Sequence, residues 1–285
     1  GKTRKTCLRF AHELNSITFA RMKRIICDGG STKAAWWMDG TVTVTPGVNP
    51  LVMDADTLLS TLPALPLADE IWYYGAGCTP QAVPVMTEAL AQKSGVESTR
   101  IHVHSDMLGA ARALCQHEEG MVAILGTGAN SCLYDGHDIV ANTPALGFIL
   151  GDEGSGAVLG RTLVSDLYKG VLPASLREAF EAETGLTQAR VIKNVYRKPA
   201  PNRFLASLVP FIVSHREELQ PLLHAAFTAF VVRNLVPYRR TDLKVHFVGG
   251  VAMQFQDELQ RVLSENLLKM GGVKSTIIKE LGRFH

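Results

Sequence analysis

Two loops in this chain of 285 residues carry the residue types that wrap an anion. The first is Cys27-Asp28-Gly29-Gly30-Ser31-Thr32-Lys33, directly after Ile25-Ile26. An apolar run that closes on an acid and two glycines reads as a buried strand. It stops where free N–H groups and hydroxyls can surround a phosphate. Glycine permits a backbone approach that any side chain would block. Asp28 stands where a carboxylate can hold a hydrated metal ion against that phosphate. The second loop, Gly126-Thr127-Gly128-Ala129-Asn130, follows the apolar run Met121 to Leu125 in the same way. Two such units point to a nucleotide held between two similar domains. The competing readings are a plain hairpin turn at Gly29-Gly30 and a solvated side chain at Lys33.

Three more places can carry chemistry. Asp106 follows the strand-like run Arg100 to His104 and opens a helical pattern. Ligands gather at the carboxyl ends of strands in open α/β sheets. An acid there can take the proton of a substrate hydroxyl as its oxygen attacks a phosphoryl group. The same acid can instead cap the helix, so base and cap both stay open. Gly147 to Gly156 sets Asp152 and Glu153 among glycines before a helix. These carboxylates can bind sugar hydroxyls or metal-bound water, or serve as caps and turns. Gly249-Gly250-Val251-Ala252 follows a strand and offers bare backbone to a flat ring.

Other chemistries are poorly supported. Neither GxxxxGK[ST] nor a GxGxxG after a strand is present, which argues against P-loop and dinucleotide folds. His102 and His104 share a strand face but lack a third ligand, which favours a structural role. Ser131-Cys132 lacks the GxSxG elbow of hydrolases.

The elements that must position these residues alternate. Strands are predicted at Arg24 to Asp28, Ala34 to Met38 and Thr41 to Val44, with an Asp39-Gly40 hairpin turn. Glu70 to Tyr74 and Arg100 to His104 are further strands, and Ala55 to Leu62, Val83 to Lys93 and Met107 to Cys115 are helices. The order then restarts, with strands at Gly120 to Leu125, Ser131 to Tyr134 and Asp138 to Ala141. Strand, loop, strand, Asp-Gly turn, strand occurs twice, as expected of duplicated units. After Gly154 the pattern is mostly helical: Val158 to Lys169, Leu176 to Thr184, Gln188 to Val195, Asn202 to His215 and Glu217 to Val236. A strand at Leu243 to Val248, a helix at Gln254 to Met270 and a strand at Val273 to Lys279 close the pattern. This is an α/β class with largely enclosed sheets.

Lys plus Arg total 29 against 27 Asp plus Glu, so charge makes no case for nucleic acid or an anionic membrane. No apolar stretch approaches the roughly 20 residues that span a bilayer. Cys7, Cys27, Cys78, Cys115 and Cys132 form no CxxC pair and read as free thiols of a cytoplasmic protein. Residues 1–21 are basic and lack the apolar core of a secretory signal, and they are expected to lie outside the fold. The domain seam is expected in Gln116-His117-Glu118-Glu119, giving an N-terminal domain over 22–116 and a C-terminal one over 117–285.

In their order these motifs resemble the sugar-kinase branch of the actin-like ATPase superfamily, and more closely the N-acetylglucosamine kinases of the BadF/BadG/BcrA/BcrD group. The resemblance runs from Met22 onward through Asp28-Gly29-Gly30-Ser31-Thr32-Lys33, Tyr74-Gly75-Ala76-Gly77, Ser105-Asp106, Gly126 to Ser131, Gly151-Asp152-Glu153-Gly154-Ser155 and Gly249-Gly250-Val251-Ala252. It implies two ribonuclease-H-like domains around ATP and Mg²⁺, with the last residues returning to the first domain. It also implies transfer of phosphate to the 6-hydroxyl of an N-acetylated amino sugar, chiefly N-acetylglucosamine. On this likeness Asp28 organises magnesium and Asp106 is the base. Gly29, Gly30, Ser31, Thr32, Lys33, Gly126, Thr127 and Gly128 approach the phosphates, and Gly249, Gly250 and Ala252 the adenosine. Asn49, Gly75, Ala129, Asn130, Leu146, Gly147 and Asp152 are sugar contacts.

The stretch Leu146 to Leu150 departs from relatives with an aromatic residue and a histidine there, leaving N-acetylmuramic acid and glucosamine as other substrates. The implied partner is a small amino sugar, and a homodimer is allowed. The alternative within the wider group is an ATP-driven activator that passes electrons through an iron–sulfur cluster, which needs paired cysteines. A sugar-sensing regulator would need a DNA-binding segment longer than residues 1–21.

Overall fold

The computed structural model describes residues 22–30 and 32–285. The expectation for residues 1–21, and the phosphate contact at Ser31, fall outside them.

The first half begins with β1 (Arg24–Gly29), β2 (Lys33–Met38) and β3 (Thr41–Pro46), an antiparallel meander. Asp39 and Gly40 both take positive φ, 49° and 86°, the conformation of a tight hairpin turn that matches strand twist. Then follow α1 (Ala55–Thr61), β4 (Glu70–Gly75), α2 (Val83–Ser94), β5 (Ile101–Ser105) and α3 (Asp106–Cys115). β4 pairs parallel with both β1 and β5, giving the order β3-β2-β1-β4-β5.

The second half repeats that plan. β6 (Gly120–Leu125), β7 (Ala129–Tyr134) and β8 (Ile139–Thr143) form the meander. β9 (Lys244–Val248) joins parallel to β6, and β10 (Lys269–Lys274) parallel to β9, in the order β10-β9-β6-β7-β8. Between β8 and β9 lie α4 (Gly147–Leu150), α5 (Gly156–Tyr168), α6 (Ala174–Thr184), α7 (Gln188–Arg197), α8 (Pro201–Ala206), α9 (Val209–Ser214) and α10 (Gln220–Phe230). The duplication read from turns and glycines is therefore a duplication of strand order.

Strand alternation sorts side chains between cores. Ile25 and Cys27 face one side of the first sheet, towards Leu58 of α1 and Met86 and Leu90 of α2. Ile26 and Tyr74 face the other side, where α3 lies. Helix α3 touches β1, β4 and β5 of the first sheet and β6, β7 and β9 of the second. Met107, Leu108, Ala110 and Ala111 are buried there against Val122, Cys132 and Val248. The larger second core gathers Leu159, Phe180, Phe227, Phe230, Phe247 and Phe255.

Four expectations are corrected. The helix expected over Gln254 to Met270 is α11 (Gly250–Gln254) and α12 (Gln256–Glu265), and it ends before β10 begins. The last strand is Lys269–Lys274 rather than Val273 to Lys279, and α13 (Ile278–Phe284) follows it. Gly271 and Gly272 sit inside this strand because the His246 ring lies on them; a Cβ on Gly271 would come within 2.7 Å of that ring. The helix expected over Asn202 to His215 is split at Ser207-Leu208. Pro210 has no N–H to give the carbonyl four residues back, so the ladder breaks there. Helix α10 starts at Gln220, not Glu217, and runs into a wider turn at Val231–Leu235.

Candidate functional site

The first anion loop sits at the carboxyl end of β1, beside the ends of β4 and β5. Asp28 is aligned with Ala35 of β2 and Tyr74 of β4. Burial pushes its carboxyl up to about 6; Asp106 adds to the rise, and Lys33 opposes it. Asp106 is itself raised by burial, against hydrogen bonding from backbone N–H groups. The two acids, at the end of β1 and the start of α3, are thus near enough to act on each other electrostatically, and Lys33 acts on Asp28 in the opposite sense.

Ser105, not Asp106, caps α3: its hydroxyl oxygen accepts the Leu108 N–H at 3.2 Å. Asp106 is the first helical residue, and its Oδ1 takes the Met107 N–H at 2.9 Å. Both residues thus accept N–H groups at the start of α3, with Ser105 in the N-cap position. The sequence signal was Ser105 itself, an equally good capping type one position earlier.

Around this pair the loops are tied together. The Ala76 N–H donates to Gly29 O at 2.8 Å, and the Gly47 N–H to Thr32 O at 3.0 Å. The second bond brings the Gly47 to Pro50 turn to the first loop. Asn49 Oδ1 accepts the Leu51 N–H at 3.0 Å. Its amide lies against Gly77, whose φ is +77° and whose added Cβ would stand 2.8 Å from Asn49 Cγ. Asn49, Gly29, Gly30, Thr32, Gly75 and Asp106 therefore form one group. Lys33 and Thr32 are exposed.

A second group forms on the other sheet. Gly126 N–H donates to Gly128 O at 3.0 Å, closing the second loop, and the start of α5 leans on it through Gly156 N–H to Gly126 O at 2.8 Å. Ser155 caps α5 by accepting the Val158 N–H. Asp152, in a left-handed conformation at φ 56°, lies over Gly128, where a Cβ would meet its Oδ2 at 3.0 Å. Its carboxyl is raised by burial, in opposition to a hydrogen bond from the Ala129 N–H. Asn130 Oδ1 accepts from the Ser131 N–H at 2.9 Å and from Asn142 at 3.0 Å. Glu153 is engaged by Arg233 at 2.9 Å and Asn234 at 3.3 Å, so its role is to hold the loop against α10's continuation. Gly249, at φ 125°, abuts the end of β6: a Cβ there would stand 2.6 Å from the Leu125 carbonyl carbon. Nothing lies within 4 Å of a Cβ on Gly126 or Gly250, so both glycines border open space.

Leu146 and Gly147 lead into α4, where Leu146, Ile149 and Leu150 are exposed. Ala252, expected at the adenosine, is fully buried in the second core. His102 and His104 belong to an aromatic stack: His102 lies 4.0 Å from the Trp72 ring and bonds Glu70 at 3.0 Å. Among the described residues no group of three or more His, Cys, Asp or Glu is arranged to hold a metal. A magnesium ion, which keeps several waters and uses one or two carboxylates, fits the Asp28–Asp106 pair, whose mutual repulsion it would relieve.

No protein-family model matches the sequence, and no curated protein matches it. Solved structures do. A putative N-acetylglucosamine kinase from Porphyromonas gingivalis is 42% identical, with a TM-score of 0.84, covering 92% of this chain and 98% of that one. A putative N-acetylglucosamine kinase from Chromobacterium violaceum is 20% identical over the same shares, with a TM-score of 0.65. A ROK family protein from Streptococcus pneumoniae TIGR4, solved in complex with sucrose, shares the fold at 13% identity, a TM-score of 0.52 and the same coverage. With its two five-stranded sheets of matching order and the α3 bridge, the chain belongs to the family of the Porphyromonas gingivalis protein, within the two-domain actin-like ATPase fold.

Proposed function

We propose that the protein is an ATP-dependent kinase of the BadF/BadG group that phosphorylates the 6-hydroxyl of an N-acetylated amino sugar, N-acetylglucosamine foremost. The observation that carries this reading is the acid pair. Ser105 supplies the N-cap of α3, and Asp106 stands near enough to Asp28 to act on it, at the carboxyl ends of parallel strands.

In this reading Asp106 receives the hydroxyl proton as the sugar oxygen bonds to the terminal phosphorus and ADP departs. Burial raises its carboxyl above the ordinary carboxylate range, which strengthens it as a proton acceptor. Gly29, Gly30, Ser31, Thr32 and Lys33 take the phosphates from one domain (22–116), and Gly126, Thr127 and Gly128 from the other (117–285). Gly250 leaves room for the adenosine, with Gly249 fixing the loop beside β6. Asn49, Gly75, Ala129, Asn130, Leu146, Gly147 and Asp152 orient the sugar. Magnesium held by Asp28 would neutralise phosphate charge. The described cysteines are buried and free, which speaks against the iron–sulfur activator. No helix among the described residues is long and apolar enough to cross a membrane, in keeping with a cytoplasmic kinase.

The test is ADP release measured with each amino sugar in turn, with and without magnesium. The reading expects turnover with N-acetylglucosamine that stops on chelation. ADP release indifferent to every sugar would defeat it.

A further inference from the structure

Tyr73 stands in the middle of the first sheet, aligned with Cys27 of β1 and Val103 of β5. Its side chain is fully buried. The ring runs towards the carboxyl ends of the strands and fills the space that Cβ atoms on Gly29 and Gly75 would take. A Cβ on Gly29 would stand 2.6 Å from Tyr73 Cζ and nearer still to its oxygen. The hydroxyl thus ends directly under the first anion loop, and it has no hydrogen-bond partner among the described residues. Asp28 and Asp106 lie close enough to act on it electrostatically, as do Cys27 and Cys78.

Packing accounts for the ring but not for the oxygen. Trp36 lies 5.9 Å away and touches the same ring that a phenylalanine would present. Phenylalanine would fill the hollow without burying an unpaired hydroxyl, which is normally costly.

We propose that Tyr73 is a positioning residue for the first phosphate loop, its hydroxyl gaining a partner on that loop when the loop closes on a nucleotide. The inference rests on the nucleotide reading above. In a trans peptide the N–H and C=O point opposite ways. When the N–H groups of this loop turn onto a phosphate, its carbonyl oxygens turn down towards Tyr73. The phenol O–H then donates to one of them. The bond forms only in the liganded state, so it favours closure and tightens binding.

The experiment is Tyr73→Phe in the full chain, with AMPPNP and magnesium as probe. Calorimetry should show affinity reduced about fivefold to tenfold, the loss of one hydrogen bond. The unliganded variant should melt at the wild-type temperature or above it. Trp36→Phe, which disturbs the ring's neighbour, should lower the melting temperature and leave affinity within twofold. Two results overturn the proposal: Tyr73→Phe affinity within twofold of wild type, or a fall of several degrees in the melting temperature of the unliganded variant. Wild-type protein that binds no nucleotide would bring down the nucleotide reading itself, a result distinct from either.

Discussion

Ser105 caps the helix that Asp106 begins. The serine oxygen accepts the Leu108 N–H at 3.2 Å, and the aspartate beside it keeps lone pairs for other work. The two residues therefore separate on mutation. Asp106→Asn should cut kcat about 10²–10⁴-fold, the range of a general base, with nucleotide affinity near wild type. Ser105→Ala should instead lower stability by about 1 kcal/mol. Full turnover by Asp106→Asn would remove it as the base.

Asp28 gives the unliganded protein a pH dependence of known sign. Its carboxyl titrates near 3.8 when unfolded and at about 6 when folded. Between those values the folded state holds a proton that the unfolded state has released. Stability therefore declines as pH rises from about 4 to about 6, by at most about 3 kcal/mol. Asp28→Asn should flatten that decline and leave the protein more stable at pH 7, while abolishing turnover. Denaturant midpoints at pH 4.5 and 7 check this; a wild-type profile flat across the window contradicts it.

The contact between Gly77 and Asn49 should tune sugar binding. Gly77→Ala places a Cβ on the Asn49 amide at a φ that alanine resists, so Asn49 must move. Both Gly77→Ala and Asn49→Ala should raise the KM for sugar far more than the KM for ATP. Equal rises in the two constants would undo the assignment of Asn49 to the sugar.

Gly249 packs the turn after β9 against the start of the loop after β6. Gly249→Ala would drive a methyl group into the Leu125 carbonyl at positive φ. We expect at least about 1–3 kcal/mol of destabilisation and a loss of nucleotide affinity larger than the loss of sugar affinity. Wild-type melting and affinity would show that the loop yields freely.

Most of the fold could be read in advance where pattern and turn chemistry agreed. Asp39-Gly40 marked a true hairpin, and Met121 to Leu125 followed by glycine marked a strand with its loop. The failures came where one feature served two ends. Gly271-Gly272 fell between a helix expected to Met270 and a strand expected from Val273, yet the pair lies in a strand covered by His246, whose Nδ1 accepts the Gly272 N–H from 26 residues away. Asn202 to His215 kept helical spacing across Pro210, which the backbone cannot follow. The glycines and acids that line the two loops stood out in the sequence. Tyr73 was not, because in sequence it is one more aromatic in a strand. Its orphaned oxygen emerges only once the sheet stacks it beneath Gly29.

After β10 the chain leaves the second sheet, and α13 settles on β1, β2 and α3. The Arg24 guanidinium reaches the main-chain oxygen of His285, and Tyr74 meets the His285 ring at 2.7 Å. The halves are thus joined at two separate places, by α3 and by this returning segment. A single tether lets two bodies pivot in any direction. Two tethers act like the paired pins of a door, leaving one swing and resisting twist and slide, so each opening would bring the same atoms back into register.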